Sequence, residues 1–327
     1  MSGASGGGKD WRPTATPAVL RQRAALLART REFFAERGVL EVETPALSGA
    51  GVSDPQIESL VTRLTGEHRP RYLHTSPEFP MKRLLAAGSG DIYQLCRVFR
   101  DGERGRWHNP EFTLLEWYRL GFDDAGLMSE VEALTARLLA PQRRLEPAER
   151  LTYAEALRRH AGVDAHAAPE RDLERAAAVH GIDCKADLER DAKLDLLMGL
   201  VVGPKLGRER PCFIHDYPVS QASLARLKPG LPPVAARFEF YLDGIELANG
   251  FHELSDAGEQ RDRFTRDLEV RRRRGQTQPP IDERLLAALE VGIPDCAGVA
   301  LGFDRLVAIA VGATHLSQAM AFPIDSA

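Results

Sequence analysis

Hydrophobic and polar residues alternate along residues 91–120, a pattern that predicts two strands joined by a polar loop. In the second strand, alternation places one set of side chains on a common face: Phe112, Leu114, Glu116 and Tyr118. A carboxylate on an apolar face, such as Glu116, needs a cationic or hydrogen-bonding partner. Because Arg100 ends the first strand, the segment predicts a site that binds an anion on one side and an ammonium group on the other.

Helical spacing predicts a first helix over residues 17–38, followed by a short strand that Pro45 ends. A longer stretch, from about residue 123 to about residue 207, has Ala, Leu, Arg and Glu at helical spacing. Thr152 and Glu155 form a capping-box pattern inside it. We interpret residues 123–207 as a helical insertion between two parts of one sheet.

Alternation of hydrophobic and polar residues and helical spacing also predict the remaining strands and helices. The predicted strands are at 72–76, 211–217 and 235–251, and the predicted helices are at 79–88, at 255–275 and from Asp282 onward. Residues 298–312 are predicted to form an apolar strand that turns into a helix at Gly302, and this helix carries Arg305.

The Asp-Gly pair at 243–244 is a strong signal for a two-residue hairpin turn. Pairing outward from this turn sets Tyr241 opposite Glu246. It also sets Glu239 opposite Ala248, so that the two carboxylates become diagonal neighbours on one face. Two close carboxylates repel each other unless a cation or a proton lies between them, and magnesium at nucleotide sites prefers oxygen ligands of this kind. An exposed acidic face is the alternative interpretation.

The composition limits the classes of function. With 327 residues, 43% of them hydrophobic and 28% charged, the chain can form one large domain or two ordinary ones with a sizeable core. A net charge near −4 argues against a large nucleic-acid interface, which needs a basic face. The one dense basic run, residues 271–274, is interpreted as the solvated end of a helix.

The cysteines and the start of the chain indicate a compartment. The four cysteines are far apart and form no Cys-x-x-Cys pair, which favours a reducing cytosol over a disulfide framework or a zinc site. No segment is apolar enough to span a bilayer. Residues 1–12 are predicted to be a disordered tail, because their Gly- and Ser-rich start has no hydrophobic stretch. We therefore expect a cytoplasmic protein that does not bind membranes.

Three dispersed segments together resemble the sequence motifs of class II aminoacyl-tRNA synthetase catalytic domains. Residues 39–45 resemble the first motif, 99–111 the second and 298–305 the third, in the family's order and across nearly the whole chain. The resemblance implies an α+β fold, a mostly antiparallel sheet flanked by helices, over residues 13–327. It also implies a homodimer, because the first motif resembles the family's dimer-forming element.

Within this class the chain is similar to lysyl-tRNA synthetases in residues 109–113 and 249–254. Because the first motif begins near residue 39, we expect no anticodon-binding OB-fold domain like that of those enzymes. Residues 76–78, 245–254 and 298–306 resemble instead the short elongation factor P–(R)-β-lysine ligase family. That resemblance implies an ATP-dependent ligase that activates (R)-β-lysine or lysine as an adenylate and transfers it to a lysine of elongation factor P. A tRNA partner is not expected.

The resemblance also implies a role for each matching position. Arg100 would bind the α-phosphate of ATP and Arg305 its terminal phosphate, and both would be catalytic. The other nucleotide contacts would be Asp101, Gly102, Glu103, Asn109, Glu246, Leu247 and Gly302. Glu239 and Glu246 would hold Mg²⁺. The amino-acid pocket would be lined by Ser76, Glu78, Glu116, Tyr118, Glu253 and Ala300.

Two positions depart from the family pattern. Gly102 stands where family members usually have Glu, so adenine recognition is expected to use Glu103 after a shift of the loop. Ala300 stands where lysyl-tRNA synthetases usually have Gly. Its methyl group would fill part of the amino-acid pocket, which fits a changed substrate such as a β-amino acid.

Other functions stay open at this point. One is an enzyme that charges tRNA, or a minimal tRNA helix, with lysine. Another is a non-catalytic paralogue that acts as a regulator or an amino-acid sensor, which the presence of Arg100, Arg305, Glu239 and Glu246 disfavours. A ligase of the same fold that amidates free amino acids is disfavoured by the lysine-type pocket.

Overall fold

The structure, a computed structural model, describes residues 11–185 and 188–327, so most of the predicted tail lies outside the described residues. The helices are α1 (Pro17–Ala35), α2 (Glu78–Ala86), α3 (Asp124–Leu139), α4 (Tyr153–Ala161), α5 (Glu170–Val179), α6 (Arg190–Leu197), α7 (Ala257–Arg273), α8 (Glu283–Val291) and α9 (Phe303–Ala310). The strands are β1 (Leu40–Glu41), β2 (Leu47–Ser48), β3 (Val61–Thr62), β4 (Arg71–Leu73), β5 (Ile92–Phe99), β6 (Glu111–Leu120), β7 (Glu149–Thr152), β8 (Cys212–Pro218), β9 (Leu227–Lys228), β10 (Val234–Leu242), β11 (Ile245–His252) and β12 (Cys296–Gly302).

Within the described residues, nine strands form one sheet in the order β1-β5-β6-β12-β11-β10-β8-β7, with β9 beside β10. The pairs at the two ends, β1 with β5 and β7 with β8, are parallel, and the other pairs are antiparallel. Strands β2, β4 and β3 form a small second sheet. The predicted fold class, a mostly antiparallel sheet flanked by helices, is confirmed.

The main core lies where α1, α3 and α9 pack against the large sheet. Phe34 of α1 stacks on Tyr93 of β5 at 4.4 Å between ring centroids and meets Trp117 of β6 edge-on at 5.4 Å. All three rings are buried, and burying each stabilises the fold by about 2 kcal/mol or more. Leu115 of β6 lies in the same core, so the odd-numbered positions of this strand hold the sheet to its helices.

Residues 123–207, predicted as a helical insertion, are helical only in part. Helix α3 packs on the large sheet, with Leu127 and Val131 in the main core. Strand β7 pairs with β8 as the last strand of that sheet. A separate hydrophobic cluster, which includes Leu151 of β7 and Tyr153, takes in α4, α5 and α6. Strand β7 was not predicted because it has only four residues, and over that length alternation cannot be distinguished from helical spacing. The predicted capping box is present, with Thr152 Oγ1 accepting from the backbone N–H of Glu155.

The hairpin register is confirmed at one pair and wrong at the next. Tyr241 pairs with Glu246, as the Asp-Gly turn predicts. A bulge then shifts the register, so that Glu239 pairs with Asn249 and not with Ala248. A bulge inserts one unpaired residue into a strand and re-aims its neighbours, and no local sequence signal fixes its position.

The interpretation of residues 271–274 as a solvated helix end is wrong for Arg271. Its side chain is only 1% exposed and donates to the carbonyl oxygens of Thr277 at 2.6 Å and of Asp54 and Ile57, both at 2.9 Å. It also forms an ion pair with Glu58. The three arginines that follow are exposed. Arg271 therefore anchors a loop that precedes it in sequence by more than 200 residues, a contact that charge patterning does not reveal.

No helix in the described part of the chain is both long and apolar enough to cross a membrane.

Candidate active site

A cavity of about 1760 Å³ opens over the large sheet. The four side chains that alternation places on one face of β6 (Phe112, Leu114, Glu116 and Tyr118) all line it, so that prediction is confirmed. The cavity brings together most of the other residues predicted from the sequence: Ser76, Glu78, Arg100, Glu103, Asn109, Glu239, Glu246, Leu247, Glu253, Ala300, Gly302 and Arg305. Asp101 and Gly102 do not line it.

Arg100 is half-buried at the end of β5. Its Nε donates to the carbonyl oxygen of Thr75 at 3.3 Å, and its Nη1 lies 3.4 Å from Oε1 of Glu103. The guanidinium also lies over the ring of Phe112, 5.2 Å from the centroid. These contacts leave the guanidinium at the cavity wall, where an anion can bind it.

The loop after Arg100 turns away from the cavity and then returns. The N–H of Asp101 donates to the carbonyl oxygen of Glu58 at 2.8 Å, which ties the loop to the segment that Arg271 anchors. Gly102 has φ = +75°, a backbone conformation that strains any residue with a Cβ. A glutamate at position 102 would be strained there, whereas Glu103 faces the cavity.

Arg305 is held at three points at the start of α9. Its Nε donates to the carbonyl oxygen of Trp107 at 3.1 Å and its Nη1 to that of Glu246 at 2.8 Å. Its Nη2 lies 2.9 Å from Nε2 of His108. Arginine can only donate, so His108 Nε2 is the acceptor and the imidazole is neutral. His108 is not among the site residues predicted from the sequence.

Two neighbouring polar residues support the frame of the site. Asn109 donates from Nδ2 to the carbonyl oxygen of Glu111 at 2.6 Å and accepts at Oδ1 from the N–H of Ile324 at 3.0 Å. Buried Asp304 accepts from the N–H of Thr113 at 2.7 Å and forms an ion pair with Arg23. The first pair of contacts joins the loop before β6 to the C-terminal segment, and the second joins α1, β6 and α9.

Glu239 and Glu246 face the cavity from β10 and β11. Glu239 accepts from Nη2 of Arg237 at 2.6 Å and from the hydroxyl of Tyr241 at 2.7 Å, so a resident guanidinium lies beside the acidic pair. Burial and the charge of Glu239 raise the pKa of Glu246, although Arg305 counteracts them. The described residues contain no group of three or more metal-ligating side chains. Two carboxylates together with the phosphates of a nucleotide are a donor set that Mg²⁺ accepts.

Glu116 and Glu253 form a buried acidic region of the cavity wall. Glu116 accepts from Ser76 Oγ at 2.6 Å and from the hydroxyl of Tyr118 at 2.8 Å. Burial, reinforced by the charge of Glu78, raises the pKa of Glu116 to about 8. Burial also raises the pKa of Glu253 to about 7, against the lowering effect of a nearby lysine.

That lysine is Lys82, which the sequence analysis missed. Its Nζ lies 2.7 Å from Oε1 of Glu78 and 2.6 Å from Oε2 of Glu253, and its side chain is 1% exposed. Burial lowers the pKa of Lys82, but the two carboxylates outweigh this and raise it overall. The local signal was the Glu-x-x-x-Lys spacing on α2, which is so common on exposed helix faces that it does not indicate a site.

Two small residues of β12 complete the pocket. A Cβ on Gly298 would lie 2.3 Å from the ring of Tyr118 and 2.5 Å from Oε1 of Glu253, so only glycine fits. Ala300, two residues further on, lines the cavity opposite Glu116 of β6.

Comparison with known proteins agrees with this geometry. The family model described as tRNA synthetases class II (D, K and N) matches residues 9–326. An elongation factor P–(R)-β-lysine ligase of Vibrio cholerae serotype O1 is 51% identical over 324 residues, which cover 97% of this chain and 99% of the relative. A protein of the same name from Salmonella arizonae is 50% identical over 323 residues, which cover 97% of this chain and 98% of the relative.

Proposed function

The chain belongs to the class II tRNA synthetases (D, K and N), and on that premise we propose that it is an ATP-dependent ligase of elongation factor P. It activates (R)-β-lysine, or lysine, as an adenylate and transfers it to the ε-amine of a lysine in that factor. The observation that carries the proposal is the convergence of Arg100 and Arg305 with Glu78, Glu116 and Glu253 on one cavity.

The charge balance of the acidic region favours a lysine-type substrate. Three carboxylates, Glu78, Glu116 and Glu253, face the cavity, and Lys82 is a resident cation behind them. Burying carboxylates without matching positive charge is costly. An amino acid with two ammonium groups supplies that charge, whereas one with an apolar side chain leaves a desolvated carboxylate short of a partner, at a cost of about 2–5 kcal/mol.

In the first step, an oxygen of the substrate carboxylate attacks the α-phosphorus of ATP. The new P–O bond forms as the bond to pyrophosphate breaks, and pyrophosphate leaves with the electron pair. Arg100 neutralises charge on the α-phosphate, and Arg305 binds the terminal phosphate. Because carbonyl oxygens and His108 already orient Arg305, little side-chain entropy is lost when the nucleotide binds. Holding two substrates in line accounts for a large share of the rate.

Glu239 and Glu246 would hold Mg²⁺ in this enzyme. The chemistry that such an ion would supply there is neutralisation of phosphate charge. Both side chains offer hard oxygen ligands at the cavity wall, and Glu246 lies 3.8 Å from the guanidinium of Arg305, which is expected to bind the terminal phosphate.

In the second step, the ε-amine nitrogen of the acceptor lysine attacks the carbonyl carbon of the mixed anhydride. The C–N bond forms, the C–O bond to AMP breaks, and the amine loses one proton. The product is an amide, which is stable to alkali, whereas an aminoacyl ester on tRNA is not.

We further propose a cytoplasmic homodimer built from one catalytic domain over residues 13–327, with an insertion at about 123–207 whose helices α4, α5 and α6 form a separate hydrophobic cluster. Leu40 lies on the edge strand β1 and is 55% exposed, and an exposed apolar edge is a surface that pairs with another chain. The four cysteines are free thiols, which suits a reducing compartment.

The test incubates the protein with ATP, each lysine isomer in turn and elongation factor P, and then measures the intact mass of the acceptor. The expected result is a gain of one lysine less one water, with (R)-β-lysine the most effective isomer. Arg100→Ala should abolish the gain, whereas Arg97→Ala, which alters an exposed side chain on β5, should keep it. Acid-labile label on tRNA with an unmodified acceptor would favour the tRNA-charging alternative.

A further inference from the structure

Lys82 lies behind the wall of the amino-acid pocket, not in the pocket itself. It projects from α2 and does not line the cavity, whereas its two partners, Glu78 and Glu253, both do. The distances from Nζ are 2.7 Å to Glu78 Oε1 and 2.6 Å to Glu253 Oε2. One cation thus bridges carboxylates that come from α2 and from the residue after β11.

The contact with Lys82 leaves Glu253 with one available oxygen. Glu253 is 1% exposed, and neither of its carboxylate oxygens has a hydrogen-bond partner among the described residues. Oε2 forms the 2.6 Å ion pair with Lys82, which leaves Oε1 without a donor. This oxygen lies beside Gly298 at the cavity wall, at a point that a Cβ on that glycine would approach to 2.5 Å. A buried carboxylate oxygen without a donor is an incomplete site, and a substrate ammonium group completes it.

We propose that Lys82 is a positioning residue for the amino-acid substrate. It binds Oε1 of Glu78 and Oε2 of Glu253, and so presents the other oxygen of Glu253, Oε1, in ionised form to the substrate ammonium group. This inference rests on the proposed function and deepens it. Lys82 does not touch the substrate, since it acts through the two carboxylates.

The charged and titratable groups around Glu253 make this role measurable. They are Lys82 and Glu78 on α2, Glu116 and Tyr118 on β6, Cys296 on β12, and Arg226, whose Nε donates to the backbone carbonyl of Glu253 at 3.1 Å. Burial and Glu78 raise the pKa of Glu253, and Lys82 lowers it. Removal of Lys82 therefore protonates Glu253 at a higher pH, and a neutral carboxyl binds an ammonium group poorly.

The experiment measures kcat/KM for lysine-dependent ATP–pyrophosphate exchange from about pH 6 to about pH 9, the range in which this carboxyl titrates. In Lys82→Met the acidic limb of the profile should move up by about one pH unit or more, with activity recovering at high pH. Lys82→Arg keeps the charge, so its limb should stay at the wild-type position even where the larger side chain lowers the maximum.

Lys193 supplies a matched control. It is also fully buried and also contacts two carboxylates, Glu170 at 2.7 Å and Glu174 at 2.6 Å, but these two carboxylates, unlike Glu78 and Glu253, do not line the cavity. Lys193→Met should leave the limb unmoved. Loss of kcat/KM by one constant factor at every pH in Lys82→Met, or no loss, would overturn the proposal, because a purely structural lysine predicts no shift.

Two further measurements keep the result decisive. If Lys82→Met does not fold, Glu78→Gln provides the test. Removal of that negative charge should move the acidic limb of the pH profile to lower pH. A limb that does not move would also contradict the proposed role of Lys82. Calorimetric binding of lysine without ATP at the same pH values reports the pocket independently of catalysis. A wild-type protein that binds lysine with the expected pH dependence but forms no adenylate would overturn the proposed function and leave the role of Lys82 standing.

Discussion

Arg305 donates a hydrogen bond from Nη2 to Nε2 of His108 at 2.9 Å, which fixes that imidazole as a neutral acceptor. Burial and then the charge of Arg305 lower the pKa of His108, and Glu103 raises it by less. His108 therefore supports Arg305 at neutral pH without adding a second positive charge that would repel it. The pair sits where the terminal phosphate of ATP is expected to bind.

His108→Phe keeps a ring of similar size but removes the acceptor. We expect KM for ATP in pyrophosphate exchange to rise by roughly tenfold, since a hydrogen bond to a charged group contributes about 1.5 kcal/mol. The KM for lysine should change little, because the charges that act on His108 are those of Arg305, Glu103 and Arg100 and not those of the acidic pocket. His108→Gln retains an acceptor and should recover most of the loss. Equal KM values for ATP in the wild type and the Phe variant would refute the supporting role.

Glu253→Gln tests the acidic pocket without changing its shape. The variant removes the negative charge that a substrate ammonium group needs, so lysine-dependent exchange should fall by at least roughly tenfold, about 1.4 kcal/mol. The matched control is Glu111→Gln, which neutralises a carboxylate that is 47% exposed and forms an ion pair with exposed Arg97. An exchange rate that drops equally in both variants would argue against the assigned pocket.

Glu116 makes the ligand-free protein less stable as the pH rises. Its pKa, ordinarily 4.5, is raised to about 8 by burial and by Glu78, so the folded state favours the protonated form. The unfolded chain ionises near pH 4.5, and stability is therefore lost progressively between about pH 4.5 and about pH 8. Glu116→Gln removes this titration, and its Tm should exceed that of the wild type by at least about 2 °C at pH 8.

The comparison of Tm at about pH 5 and about pH 8 decides this prediction. Near pH 5 the wild-type and Gln proteins should differ little, since both carry a neutral side chain there. Glu253, whose pKa is also raised, to about 7, remains in the Glu116→Gln variant. The Tm of that variant should therefore still fall as the pH rises, but by less than the Tm of the wild type. A Tm difference that stays constant across this range would show that Glu116 does not titrate in the folded state.

Local pattern was sufficient to predict the parts of the site that belong to one element. Alternation along β6 placed Glu116 and Tyr118 on the cavity face, and the Asp-Gly turn paired Tyr241 with Glu246. The bulge beyond that pair was not predicted, because its position depends on how β11 packs against neighbouring strands and not on the sequence of β11 alone. Only the resemblance to a family predicted that residues far apart in sequence belong to the same site.

Contacts that join distant segments through a buried charge escaped the sequence analysis. Lys82 and Arg271 both lie on helices with ordinary charge patterns, so an exposed position was the simpler expectation for each. Their burial is decided by what the rest of the chain places beside them: Glu253 for the lysine, and the segment around Glu58 for the arginine. Hydrophobic periodicity reports which face of an element is apolar and carries no information on such partners.

Arg271→Met removes the anchor of the segment at 54–58. Two backbone carbonyl oxygens of this segment and the Glu58 carboxylate would lose their donor, so the free energy of unfolding should fall by about 2–5 kcal/mol. The same segment holds the N–H of Asp101, next to Arg100, so KM for ATP should also rise. Chemical denaturation and exchange kinetics measure the two effects. Arg272→Met, on an exposed neighbour, should change neither.

Gly298→Ala tests whether the floor of the pocket tolerates a single methyl group. The new Cβ would lie 2.3 Å from the ring of Tyr118 and 2.5 Å from Glu253 Oε1, and neither group is free to move away. Tyr118 is buried between strands, and Lys82 holds the other oxygen of Glu253. Overpacking of this kind costs about 1–3 kcal/mol, so lysine-dependent exchange should fall more than tenfold as the carboxylate is displaced.

Gly199→Ala is the matched control for this substitution, because Gly199 also lines the cavity but a Cβ there meets no atom within 4 Å beyond its chain neighbours and its own helix backbone. It should leave exchange unchanged. Binding of ATP alone should be kept in both variants, since Gly298 lies at the amino-acid end of the cavity, against Tyr118 and Glu253. If Gly298→Ala instead weakened the binding of ATP and of lysine equally, the substitution would have disturbed the sheet as a whole. Gly298 would then not be a residue that specifically shapes the lysine pocket.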